Sequence, residues 1–190
     1  MTGVDPFTFA VTIGAVLDDL GIPYLVGGSV ASITFGEPRF TQDLDLMIDA
    51  GEDEVRALAA RLQDDFYLDA DAAADAVRHR STFSAIHIET FLRVDFFTIG
   101  DLPAVRREQL ARGRVMPLAR GTARFYSPED IVVQKLRWFR MGGEVSDQQW
   151  RDVLGVLRVS RDMDSAYLDR AADVFGVRDL LERARQVVDN

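Results

Sequence analysis

The segment Thr41-Gln42-Asp43-Leu44-Asp45-Leu46 alternates acids with leucines. In a strand, residues two apart share a face, so Asp43 and Asp45 project together while Leu44 and Leu46 point into a core. Aspartate is disfavoured in strands, and neighbouring carboxylates repel unless a proton or cation lies between them. Mg²⁺ suits such a pair, because it takes one or two carboxylates and completes its octahedron with water and phosphate oxygens. The plainer alternative is the solvated face of an edge strand, since alternation alone says only that one face is buried. A further acid, Asp95, stands inside the apolar run Leu92-Arg93-Val94-Asp95-Phe96-Phe97. A buried carboxylate without a partner is costly. Either Arg93 pairs with it or it lies at a functional opening. If the Asp95 strand runs beside the Asp43 strand, three carboxylates converge, and such a set can hold two metals roughly 4 Å apart for phosphoryl or nucleotidyl transfer.

Leu25-Val26-Gly27-Gly28-Ser29 reads as a strand that breaks at a glycine pair and enters a helix. Glycine lets backbone approach a phosphate closely, and a helix N-terminus offers unpaired N–H groups and a positive dipole end. A tight strand-to-helix turn is the alternative. Composition narrows the metal further. The chain has no cysteine and only two histidines, His79 and His87. Any metal is therefore bound mainly by oxygen, which favours Mg²⁺ or Mn²⁺.

The elements that must position these residues are legible from breakers and periodicity. Asp5-Pro6 opens a first helix that ends at Gly21-Ile22-Pro23, and Tyr24-Leu25-Val26 is a short buried strand. Ser29 to Phe35 reads as a short helix and Leu44 to Ile48 as the clearest strand. Glu52 to Leu62 is an amphipathic helix with Val55, Leu58, Ala59 and Leu62 on one side. Asp69 to Asp75 is a loop or short helix, Thr82 to Ile88 and Leu92 to Ile99 are strands, and Leu102 to Leu110 is helical. Val115 to Leu118 and Ala123 to Tyr126 flank Gly121 as short strands. From Ser127-Pro128-Glu129-Asp130, a strong helix start, the chain turns helical: to Met141, then Asp147 to Val159, Ser165 to Val174 and Val177 to Val188. The expected organisation is an α/β core over residues 1–126 and a helical region over 127–190 packed on it.

The order of these features resembles the nucleotidyltransferase superfamily, whose pattern is a hydrophobic residue, Gly, then Gly or Ser, a helix, an Asp-x-Asp strand and a third acid on a later strand. Val26-Gly27-Gly28, Asp43-Leu44-Asp45 and Asp95 match it in order. The string from Gly36 through Arg39-Phe40-Thr41-Gln42 to Leu46 is similar to small bacterial members related to the minimal nucleotidyltransferases and to abortive-infection toxins of the AbiEii type. The gap from Gly28 to Asp43 is near the long end of the family spacing. Asp130-Ile131-Val132-Val133-Gln134-Lys135-Leu136 resembles the helix whose lysine contacts the triphosphate, and Asp147 to Val153 resembles the helix that follows it. The likeness runs over about residues 24 to 155 and leaves the last 35 residues unmatched. It implies an α+β fold, a mixed sheet flanked by helices and followed by a C-terminal helical bundle. It also implies metal-dependent transfer of a nucleoside monophosphate from a nucleoside triphosphate to a hydroxyl on tRNA, protein or a small molecule, as a toxin–antitoxin or resistance-type enzyme. Gly27, Gly28 and Ser29 would hold phosphates, and Asp43 and Asp45 would bind Mg²⁺ or Mn²⁺. Asp95 would bind a second metal or act as base. Lys135 and Arg39 would neutralise phosphates. Lys135 is the only lysine among 22 basic residues. A solvated helix lysine and a plain turn arginine are the bland alternatives for the two.

Other residues carry less. His87, between Ile86 and Ile88, reads as structural rather than catalytic, and Trp138 and Phe139 as core or a base-stacking surface, with core favoured; Arg137 and Arg140 make a basic cluster with Lys135 that either contacts phosphates or is a solvated face. The net charge of −9 is ill suited to duplex DNA, which is held through many phosphate contacts. No apolar run reaches membrane-spanning length and no secretory signal opens the chain, so a cytoplasmic protein is expected, with a partner protein or homodimer open. The alternative function is a catalytically silent nucleotide-binding or partner-binding protein on the same fold, since fold alone does not give function.

Overall fold

The computed structural model describes residues 5–100 and 103–189. The chain forms two compact units, Met1–Val30 with Thr41–Phe125, and Ala31–Phe40 with Tyr126–Asn190.

The first unit begins with α1 (Pro6–Asp19), whose Asp5 cap accepts a hydrogen bond from the Thr8 N–H at 2.9 Å. Then come β1 (Tyr24–Val26), the start of α2 (Gly28–Phe35), β2 (Asp43–Ile48), α3 (Glu52–Leu62), β3 (Phe66–Tyr67) and α4 (Ala70–Arg78). They are followed by β4 (Thr82–His87), β5 (Arg93–Thr98), α5 (Pro103–Arg112), β6 (Arg114–Leu118) and β7 (Gly121–Phe125). The strands form one mixed sheet in the order β3-β4-β5-β2-β1-β7-β6. β2 pairs antiparallel with β1 and parallel with β5.

Period-two alternation divides this sheet into a packing face and a chemical face. Leu44, Leu46 and Ile48 of β2 share the first with Val94 and Phe96 of β5, and all are fully buried. The same face carries Tyr24, against whose ring Gly14 of α1 packs so tightly that a Cβ there would lie 2.3 Å from the hydroxyl. Each such leucine or phenylalanine contributes about 1.5–3 kcal/mol by leaving water. Together they lock the register, because a slip of one residue would drive Asp43 and Asp45 into the core. His87 lies on this packing face, buried and tilted against Phe9 and edge-on to Phe66, with ring centroids at 4.7 and 5.1 Å.

One element departs from the expectation: Phe66–Tyr67 is a strand, too short for alternation to reveal. Of the two alternatives for Asp69 to Asp75 the helix forms and runs on to Arg78, with Asp69 capping it by accepting from the N–H groups of Asp71 and Ala72. Leu102 of the expected fifth helix lies outside the described residues.

The second unit contains α6 (Pro128–Met141), α7 (Asp147–Val159), α8 (Ser165–Val174), α9 (Arg178–Asp189) and the end of α2 with the segment after it. Ser127, Ser146 and Asp164 cap α6, α7 and α8 through their side chains. Glycines bring α7 close to the end of α2. A Cβ on Gly36 would stand 2.9 Å from the Val156 nitrogen, and one on Gly155 3.2 Å from the Glu37 nitrogen. Phe139 is core, the favoured reading, while Trp138 is half exposed on the surface. The basic cluster disperses: Arg137 lies over the Phe175 ring, Arg140 pairs with Asp179 and Glu144, and Lys135 is buried. No helix among the described residues is long and apolar enough to cross a membrane.

Candidate active site

On the chemical face of the first unit, the parallel register of β2 and β5 sets Asp45 directly beside Asp95 and Asp43 beside Arg93. Paired residues point to the same face, so the three carboxylates and the guanidinium share one surface. The Asp43 side chain is exposed and takes part in no hydrogen bond or ion pair among the described residues. Asp95 is buried, with both its oxygens hydrogen-bonded. Its Oδ1 accepts from the Ser84 hydroxyl at 2.5 Å, and its Oδ2 accepts from Nε and Nη2 of Arg93 at 2.9 and 2.6 Å. The hydrogen bonds and charge of Asp95 push the Arg93 pKa above its ordinary value, and the charges of Asp43 and Asp45 add to the effect. One guanidinium thus feels all three acids.

Among the described residues, no three acids or histidines stand close enough to cage an ion by themselves. The donors still fit a hard divalent cation that draws most of its shell from water and phosphate. Asp43 and Asp45 offer carboxylate oxygens side by side on one face, and Mg²⁺ needs only one or two of these.

The glycine pair is built around Asp45. The Gly27 N–H donates to the Asp45 carbonyl at 2.8 Å. Gly28 opens α2 with φ +52, and a Cβ there would fall 1.7 Å from Asp45 Oδ2. The positive end of α2 therefore lies against the carboxylate it helps to stabilise. Gly28 and Ser29 are half-buried and Gly27 is buried.

The second unit gathers the two cations named by the sequence around one acid. Lys135 Nζ lies 2.7 Å from Asp152 Oδ2. Arg39 grips the same carboxylate with both arms, Nε to Oδ1 and Nη2 to Oδ2, each at 2.9 Å. Ser32 donates its hydroxyl to Oδ2 at 3.1 Å. Lys135 is thus no solvated helix lysine. Burial alone would raise the pKa of Asp152, but the Arg39 hydrogen bonds and the Lys135 charge outweigh it and hold the carboxyl below the usual aspartate range.

An acid test of this cluster follows. With a depressed native pKa, Asp152 contributes stability that is complete above about pH 3.9, the unfolded value, and is lost as pH falls through its native pKa. Asp152→Asn leaves Lys135 buried with no other ion pair among the described residues. Urea denaturation at pH 7 is expected to show a loss of about 3–5 kcal/mol, the cost of breaking a buried pair from one side. The variant should also lose less of its remaining stability than the wild type between pH 4 and pH 2.

Comparison by sequence finds nothing: no family model and no curated protein matches the chain. Comparison by structure does. A nucleotidyltransferase-like antigen of Paracoccidioides brasiliensis superposes with a TM-score of 0.59 at 18% identity, over 95% of this chain and 91% of that one. The enzyme ANT(2'')-Ia in complex with adenylyl-2''-tobramycin superposes at 0.58 with 15% identity, over 90% and 97% of the two chains. The lincosamide antibiotic adenylyltransferase LnuA, lincomycin-bound, reaches 0.51 at 14% identity, over 78% and 94%. The chain has a nucleotidyltransferase fold.

In this nucleotidyltransferase fold the structure brings Gly27, Gly28, Asp43, Asp45 and Asp95 together in the first unit, and Arg39 with Lys135 in the second. Asp152, Ser32 and Ser84 are the partners that the sequence reading did not single out. Asp152 left one signal: it stands on the buried stripe of α7, with Gly155 and Val156 one turn on, and a buried acid needs a cation. Ser32 and Ser84 left none, because a serine on a helix or strand is unremarkable until its neighbour is known.

Proposed function

We propose that the chain is a nucleotidyltransferase that moves a nucleoside monophosphate from a nucleoside triphosphate to a hydroxyl acceptor, with Mg²⁺ or Mn²⁺ held by Asp43 and Asp45. The observation that carries this reading is the register that sets Asp45 beside Asp95 on the face shared with Asp43. Bound there, the metal supplies positive charge against the triphosphate. Gly28 and Ser29 receive phosphate oxygens at the start of α2, on a turn that Gly27 fixes by donating its N–H to the Asp45 carbonyl. Asp95, aimed by Ser84 and Arg93, takes the acceptor's proton or, with the guanidinium displaced, would join the metal. The acceptor oxygen bonds to the α-phosphorus as the bond to the β-phosphate bridging oxygen breaks, and pyrophosphate leaves. Arg39 and Lys135 are assigned to the β- and γ-phosphates on the sequence pattern.

The acceptor we favour is a small molecule. One structural relative is bound to adenylyl-2''-tobramycin and another to lincomycin. The net charge of −9 also disfavours a large RNA footprint. A toxin that modifies RNA is the competing version. The Arg93–Asp95 pair favours a second reading, a silent nucleotide-binding protein, because it occupies the third acid.

The test is incubation of the protein with each α-labelled nucleoside triphosphate, Mg²⁺ and a cell extract, followed by sorting of the label. Label in the small-molecule fraction, absent with Asp43→Ala/Asp45→Ala, is the expected result. Label in RNA would assign the toxin role instead. Nucleotide binding without incorporation under Mg²⁺ or Mn²⁺ would leave the silent reading standing.

A further inference from the structure

We propose that Arg93 is the built-in counter-ion of this acidic face, and that a divalent metal reaches Oδ2 of Asp95 only by displacing its guanidinium. This rests on the metal-site reading above and adds an order of events to it.

Three aspartates on one sheet face repel one another when no cation is present. Arg93 answers that repulsion from within the sheet, since the register sets it beside Asp43 while its side chain grips Asp95. The grip uses up the oxygen it touches. A carboxylate oxygen has about two lone-pair sites, and Oδ2 of Asp95 gives both to Nε and Nη2 of Arg93. Oδ1 gives one of its own to Ser84. Metal coordination through Oδ2 therefore requires the guanidinium to leave.

The arginine has somewhere to go. Its side chain is 58% exposed, against 11% for Asp95, so the acid is fixed and the cation is the mobile member. Arginine suits the task because its planar fork covers one carboxylate oxygen with two hydrogen bonds, which a lysine ammonium does not reproduce. Asp95 is in this way kept aimed, and part of the acidic charge of this face is offset.

The experiment is a Mn²⁺ titration of the full chain without nucleotide, read by the electron paramagnetic resonance signal of free Mn²⁺. Wild type, Arg93→Ala, Arg93→Lys and Asp43→Ala/Asp45→Ala are compared, with circular dichroism to verify folding. Arg93→Ala is expected to bind Mn²⁺ roughly tenfold more tightly, as removal of a close, competing charge-assisted pair allows. Its metal-free melting temperature should fall and recover with Mn²⁺. Arg93→Lys, which keeps the charge but loses the fork, should fall between wild type and Arg93→Ala. Unchanged or weaker binding by Arg93→Ala, with the wild type binding Mn²⁺ at Asp43 and Asp45, overturns the displacement. So does a lysine variant identical to wild type, which would reduce the effect to charge at a distance. Absence of Mn²⁺ binding in both wild type and Arg93→Ala overturns the metal site itself, and this inference with it.

Discussion

Replacing Asp43 and Asp45 together with alanine is expected to abolish metal-dependent nucleotide binding and to lower nucleotidyl transfer by roughly three orders of magnitude or more, as loss of transition-state charge stabilisation does elsewhere. The fold should survive. Asp43 is exposed, and the core of β2 is built from Leu44, Leu46 and Ile48 on the other face. Removing two like charges from one strand face also relieves repulsion, so the melting temperature should stay near that of the wild type. Isothermal titration with a nucleoside triphosphate, with and without Mg²⁺, checks the binding; transfer of α-label checks the activity. Persistence of Mg²⁺-dependent nucleotide binding in the double variant would remove these aspartates from the site.

Gly28→Ala should be the most damaging single methyl group in the chain. Two separate effects meet there. The backbone is left-handed at φ +52, where an L-residue is strained by roughly 1–2 kcal/mol. The new Cβ would also fall 1.7 Å from Asp45 Oδ2, so the carboxylate proposed to hold the metal must move. Gly21→Ala separates the two effects, because Gly21 has φ +68 but nothing within 4 Å of the added Cβ. The Gly21 variant is expected to lose about 1 kcal/mol in urea denaturation and keep nucleotide binding. The Gly28 variant is expected to lose more stability and, in addition, its metal-dependent nucleotide binding. Equal behaviour of the two would mean that Asp45 is free to shift without consequence, and would count against its role.

Much of this molecule is local in origin. Capping side chains and breakers mark the helices: Asp5-Pro6, Ser127-Pro128 and the acid-rich start of α3 each announce themselves within one turn. Alternation within β2 assigns Asp43 and Asp45 to the face opposite Leu44 and Leu46, because a strand's period of two leaves no other arrangement. Where local signals were weak the elements blurred, as at β3, which has only two residues, and at α4, whose buried residues are only the small Ala73, Ala74 and Ala76.

The partners of the chemical residues are a different matter. Nothing in the residues around Asp95 says which strand lies beside it; that was settled by burial of Val94 and Phe96 alongside Leu44 and Leu46, which brought β5 parallel to β2 and Asp95 to Asp45. The choice between a paired and an open Asp95 was settled in the same step, with Arg93 and Ser84 as its partners. Likewise the pattern named Lys135 and Arg39, while packing of α7 at Gly155 supplied the acid that holds both, 113 residues from Arg39 and 120 from Ser32. Periodicity and capping act over a few residues, so the sequence by itself determined which elements form and which way their side chains face. Pairing across such distances depends on which apolar surfaces close on one another, and only the tertiary structure decided it.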